Sequence, residues 1–108
     1  MTNPTTQEYH RMTLYQHRNQ AETDLVVARA QCLHHAHAAR QCIALGEFPA
    51  AGRHIRHAER HEDEIPAILL RMDRLGILEI GKAVRHDFRA TYGAIIDDCI
   101  KLKEGRYV

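Results

Sequence analysis

The sequence predicts an all-α fold, an antiparallel three-helix bundle with a long first helix, and three observations carry that reading. Glycine and proline are sparse, at 6 and 3 residues, and Gly46 and Gly76 divide the chain into three segments. Within each segment apolar residues recur every three or four positions, the spacing of one helical face and not of a strand. At 108 residues the chain is the size of one hydrophobic core, so residues 1–108 read as a single helical domain.

The first helix is expected over 5–45. Thr5-Thr6-Gln7-Glu8 has the capping-box pattern, in which a hydroxyl and a carboxylate satisfy the first free backbone N–H groups. No glycine or proline follows until Gly46, which can take the left-handed conformation that closes a helix. Leu25, Cys32, Ala36, Ala39 and Ile43 form its apolar stripe, with Leu14, Ala21 and Ala28 extending that side towards the N-terminus. At about 1.5 Å per residue such a rod reaches roughly 60 Å, so its N-terminal part is expected to overhang or to meet another chain.

The second helix is expected over 47–75, with Pro49 tolerated in its first turn. Its stripe reads Phe48, Ala51, Ile55, Ala58, Glu62, Ile65, Leu69 and Met72. That register continues through Pro66, which favours one helix kinked near 66 over a break into two. The third helix, 77–104, follows Leu75-Gly76 and carries Ile77, Ile80, Val84, Phe88, Tyr92, Ile95, Cys99 and Leu102 on one face. Short turns force consecutive helices antiparallel, setting Ile43 near Phe48, Ala36 near Ile55, Cys32 near Ala58, Met72 near Ile80 and Ile65 near Phe88. Small residues at Ala36, Ala39, Ala51 and Ala58 predict tight packing beside the first turn. Val26, Leu33, Ile68, Leu70 and Ile96 are left over by a lone bundle, and they point to a homodimer.

The stretch Leu45-Gly46-Glu47-Phe48-Pro49-Ala50-Ala51 resembles the turn between the two helices of a tetratricopeptide repeat. The likeness covers one turn and about one repeat period of roughly 34 residues. No second copy follows and the first helix is too long for a repeat helix, so the shared feature is hairpin chemistry and not kinship.

Composition narrows the function classes. With 44% apolar and 27% charged residues the chain is neither disordered nor membrane-spanning, and no membrane partner is expected. A formal charge of +1 does not announce a nucleic-acid partner. Cys32, Cys42 and Cys99 include no Cys-x-x-Cys unit and cannot all pair within one chain, so neither a disulfide framework nor a thiolate zinc site is indicated, and a reducing cytoplasm fits best. The first residues lack the basic and apolar regions of a signal peptide, so the expectation is an unprocessed cytoplasmic protein.

The unusual count is 9 histidines. On the second helix His54, His57 and His61 form a stripe beside the apolar face, and Arg53, Arg56 and Arg60 form a second stripe beyond it. On the first, His34 and His37 share a face, with Arg40 a turn below. One use of this cluster is a transition-metal site for zinc, nickel or copper on His57 and His61, completed by His34, His37 or His54. No resident cofactor is otherwise expected. A second use is recognition of anionic groups, on an acidic protein or on nucleic acid, through Arg40, Arg53, His54, Arg56, His57 and Arg60. Glu62 stands in register with the core stripe, so it needs Arg29 as a partner or lies at the stripe's wet edge. Cys32 and Cys99 read as small core residues.

No nucleophile elbow, phosphate loop or paired-carboxylate motif occurs, and a narrow bundle offers no obvious pocket. The sequence therefore points away from an enzyme. It points to a helical interaction protein, an adaptor, chaperone, inhibitor or regulator that meets a protein partner through the Arg/His surface.

Overall fold

A computed structural model describes residues 13–105, and among these the only regular secondary structure is helical. Helix α1 spans Leu14–Ala44, α2 Phe48–Glu62, α3 Ile65–Arg74 and α4 Leu78–Gly105.

Helix α1 begins at residue 14, not at residue 5. Thr13 is extended, and its hydroxyl accepts from the Gln16 amide at 3.1 Å while the Gln16 side-chain oxygen accepts from the Thr13 amide at 2.7 Å. This reciprocal box satisfies two N–H groups that a helix start leaves open. The capping pattern at Thr5-Thr6-Gln7-Glu8 lies outside the described residues. With 31 residues α1 is about 47 Å long; its first turn, including Leu14 and Tyr15, is exposed, and the rest of the stretch expected to overhang lies outside the described residues. Ala21, Leu25 and Ala28 are buried, and the Arg18 Nε donates to the Leu75 carbonyl at 2.7 Å, tying the start of α1 to the far turn.

Both glycine reversals are present. Gly46 has φ 79° and Gly76 φ 74°. Around the first, the Glu47 amide donates to the Cys42 carbonyl at 2.8 Å and the Gly46 amide to Ile43 at 3.0 Å. Around the second, Ile77 donates to Met72 at 3.0 Å and Gly76 to Asp73 at 3.1 Å. These are Schellman closures, in which a left-handed residue lets the last carbonyls of a helix be satisfied, and a side chain at either glycine would be strained.

The chain breaks at Pro66 where a kink is expected from periodicity. Asp63 and Glu64 keep right-handed dihedrals, so the apolar register survives, but Glu64 donates to His61 in a tightened turn and Pro66 has no N–H to give. The ladder is lost over these residues, leaving two helices, α2 and α3.

Named pairs fix the packing. Rising along α1, Arg18 meets Leu75, Asp24 forms an ion pair with Arg71, the Cys32 thiol donates to the Ala58 carbonyl at 3.3 Å, and His35 meets His54. The partner numbers fall, so α2 and α3 run antiparallel to α1. Arg40 pairs with Asp98 at 3.2 Å, which places the later part of α4 beside the later part of α1. The core is small beside Gly46, with Ala36, Ala39, Ala51 and Cys99 around Ile43 and Ile95. At the other end it is bulkier, with Leu25, Leu69, Met72 and Phe88. Of the leftover apolar residues, Leu33, Ile68 and Ile96 are partly buried, whereas Val26 and Leu70 are each 53% exposed.

The α4 stripe needs one correction. Ile80 is 48% exposed and Leu102 39%, while Gly81 is buried, and Leu14 at the start of α1 is also exposed. A Cβ at Gly81 would stand 2.7 Å from Leu69 Cδ2 and 3.0 Å from Met72 Sδ. Glycine is therefore what lets α4 close on α3, and Ile80 is turned aside. At Gly93 an added Cβ meets nothing within 4 Å. We expect Gly81→Leu to lower unfolding stability by about 1–3 kcal/mol through overpacking. Gly93→Ala should raise it by about 0.5–1 kcal/mol through helix propensity. Urea titrations of the two variants against the parent chain measure both.

Candidate functional site

Helix α2 has four chemically distinct sides, set by its spacing. Ala51 and Ala58 are buried against α1. His54, His57 and His61 flank them on one side and Glu59 and Glu62 on the other, and Arg53, Arg56 and Arg60 stand opposite the buried face.

The histidine flank turns towards α1, where it meets His35. The two Nδ1 atoms of His35 and His54 are 3.0 Å apart. The ring of His57 stacks on His35 with centroids 5.0 Å apart and 27° between planes, and that of His61 lies 6.0 Å away at 8°. His34 meets the same ring edge-on at 5.2 Å. His35 is thus the centre of a group of five imidazoles. Burial first, then the neighbouring His57, His34, His54 and His61, hold its imidazole below the ordinary 6.5.

His35 is the residue that the sequence reading passes over. Pairing His34 with His37 by spacing within one helix hides it. The signal was available in the register, since Cys32 opposite Ala58 sets residue 35 opposite the stretch that begins at His54. His37 lies elsewhere, with its Nδ1 3.0 Å from the Arg40 guanidinium, which also pairs with Asp98 on α4. Arg40 is accordingly separated from the α2 arginines, and the basic surface named from sequence divides. Arg53, Arg56 and Arg60 form one exposed ridge on which none makes an ion pair or hydrogen bond to another described residue. His54 is half-buried in the seam, and His57 is exposed at its edge.

The histidines suggested as ligands are likewise not brought to one point. His57 and His61 present ring faces to His35, His34 presents an edge, and His37 is bound by Arg40. Among the described residues no three His, Cys, Asp or Glu side chains are placed to hold a metal ion together.

On the opposite flank α2 and α4 diverge, since both pack on α1 and scarcely approach each other. Between them runs a groove of about 300 Å³ lined by Ile55, Tyr92, Ile96 and Ile100, with Glu59 and Glu62 on its rim. Glu62 is half-buried and has no ion pair with Arg29, whose Nε is itself buried without a hydrogen-bond partner. Burial first, then Asp63 and Glu59, raises the Glu62 carboxyl, and Arg89 from α4 opposes that rise.

The cysteines are core residues. Burial and the nearby Glu62 push the Cys32 thiol up to about 11, and burial also raises Cys99. Cys42 is only partly covered, and all three are unpaired. A thiol reacts as its thiolate, so at about pH 8 a disulfide reagent should modify Cys42 well ahead of Cys32 and Cys99, which should react only on unfolding. Mass spectrometry of peptides from a timed labelling reaction checks that order.

No described helix is long and apolar enough to cross a membrane. The chain has no significant match to a protein-family model, a characterised protein or a solved structure.

Proposed function

We propose that this chain is a non-enzymatic interaction protein, an adaptor, chaperone, inhibitor or regulator, in which an open helical bundle presents an arginine ridge to an acidic protein surface. The observation that supports this most is the ridge. Arg18, Arg40 and Arg71 are engaged within the chain, whereas Arg53, Arg56 and Arg60 share one exposed face of α2 and are committed to nothing there. Guanidinium groups at this spacing fit successive carboxylates along a partner helix or strand, with bidentate geometry that lysine does not offer.

The same groups fit phosphates, and nucleic acid is the second reading. Salt separates the two, because phosphate contacts release counterions and make affinity fall steeply with ionic strength. Three unpaired thiols support a cytoplasmic setting. Val26 and Leu70, exposed on α1 and α3, support a homodimer.

Replacing Arg53 and Arg56 together by glutamate should abolish capture of the partner from native cell extract, with the helical circular dichroism unchanged. Retained capture removes the ridge from the mechanism. If nuclease treatment releases what is captured, the partner is nucleic acid. Analytical ultracentrifugation should give twice the chain mass of 12.4 kDa, and Val26→Ser with Leu70→Ser should return it to a monomer.

A further inference from the structure

The five-imidazole group lies in the seam between α1 and α2, outside the arginine ridge. A contact between two Nδ1 atoms at 3.0 Å is a hydrogen bond only if one nitrogen carries a proton and the other offers a lone pair. With both rings protonated, two N–H groups would face each other at that distance. The stacked rings of His57 and His61 add to the constraint, because two imidazolium faces repel where two neutral faces pack.

We propose that the His35–His54 contact, with His57 and His61 stacked on it, is a proton-operated latch that holds α2 against α1 while the rings are neutral and releases it as they take up protons. The surroundings offer little to neutralise the charge. From α1 the neighbour is His34, and from α2 they are His54, His57 and His61. No group from α3 or α4 acts on His35 among the described residues. Among the described residues one carboxylate forms an ion pair with the group, Glu64, whose Oε1 lies 3.4 Å from the His61 Nδ1. Arg53, Arg56 and Arg60 add positive charge on the same helix. Acidification therefore accumulates like charges in a seam that has no counter-ion at its centre.

The fold lets this release be local. Helix α2 is bounded by the Gly46 reversal at one end and by the interrupted ladder before Pro66 at the other, and it scarcely approaches α4. Its hold on the molecule is therefore mainly the α1 seam. Helix α3 is anchored separately by Ile65, Leu69 and Met72 in the bulkier core.

The direction in pH follows from His35. Its folded value is depressed, so the opened or unfolded chain binds the proton more readily than the closed one. The stabilisation is complete above the ordinary value of 6.5 and is lost as pH falls from there towards the folded value. Each proton taken up on opening changes the opening equilibrium by up to about tenfold per pH unit.

The test is amide hydrogen exchange on the full chain at about pH 7 and about pH 5, corrected for intrinsic rates, with no partner present. We expect protection of α2 amides to fall about tenfold or more at the lower pH, while the α4 amides around Phe88 and Ile95 change by less than about twofold. In His35→Gln the α2 protection should become insensitive to pH, and in His37→Gln, outside the seam, the loss should persist. Should His35→Gln fail to fold, the parent chain and His57→Gln decide the matter, since the latter removes one stacked ring and should reduce the loss. Equal loss in α2 and α4, no loss in α2, or an undiminished loss in His35→Gln overturns the latch. The measurement needs no binding partner, so it stands or falls separately from the reading of the arginine ridge. Only the consequence that acid would also redirect the ridge rests on that reading.

Discussion

The close approach of α1 and α2 is the constraint on which the rest depends. Ala36 and Ala39 on one helix and Ala51 and Ala58 on the other are buried, with the Cys32 thiol donating a hydrogen bond to the Ala58 carbonyl. Side chains this small bring two backbones nearer than leucines would. Flanking positions then face each other across the seam, and one flank is filled by the rings of His35, His54, His57 and His61. The histidine group thus lies directly beside an alanine core. The arginine ridge follows in turn, because it occupies the side of α2 that this seam leaves in solvent.

What was legible in the sequence was whatever repeats or whatever glycine alone can do. The two reversals, the α1 stripe from Leu25 to Ile43 and the opposition of Cys32 to Ala58 all follow from period and turn chemistry, and the structure has them. The failures have separate physical causes. The Thr13–Gln16 box that opens α1 is not marked by the apolar stripe, because Leu14 beside it is exposed. Gly81 was invisible to hydrophobic periodicity because a missing side chain contributes no apolar signal, although its absence is what α3 packs against. Pro66 misled in the other direction. The dihedrals on either side stay helical, so the stripe continues while the hydrogen bonds do not.

At the site, the same division holds. The ridge of Arg53, Arg56 and Arg60 lies within one helix, and three-and-four spacing is enough to see it. His35 requires the pairing of two helices, and so does the finding that Arg40 faces Asp98 on α4 instead of joining the ridge. Glu62 was recognised as a carboxylate in an apolar register, but its environment depends on where α4 lies. Arg89, and not Arg29, is the cation that acts on it.

The energetics of the middle segment explain why α2, and not α3, is the element whose position chemistry can control. Helix α2 buries two alanine methyls completely, worth about 0.8 kcal/mol each, with Phe48 and Ile55 only partly covered. Helix α3 is shorter by five residues, at 10 against 15, yet buries Ile65, Leu69 and Met72, each worth about 1.5–3 kcal/mol. The longer helix is therefore held through small and partly covered side chains, where the shorter one is held through three large buried ones. Polar contacts contribute only fractions of a kilocalorie to a few kilocalories each, too little to move α3 but comparable with the apolar hold on α2. A seam of titratable rings placed beside α3 would be a minor decoration on a firm core. Placed beside α2, it lies against the helix that carries the arginine ridge.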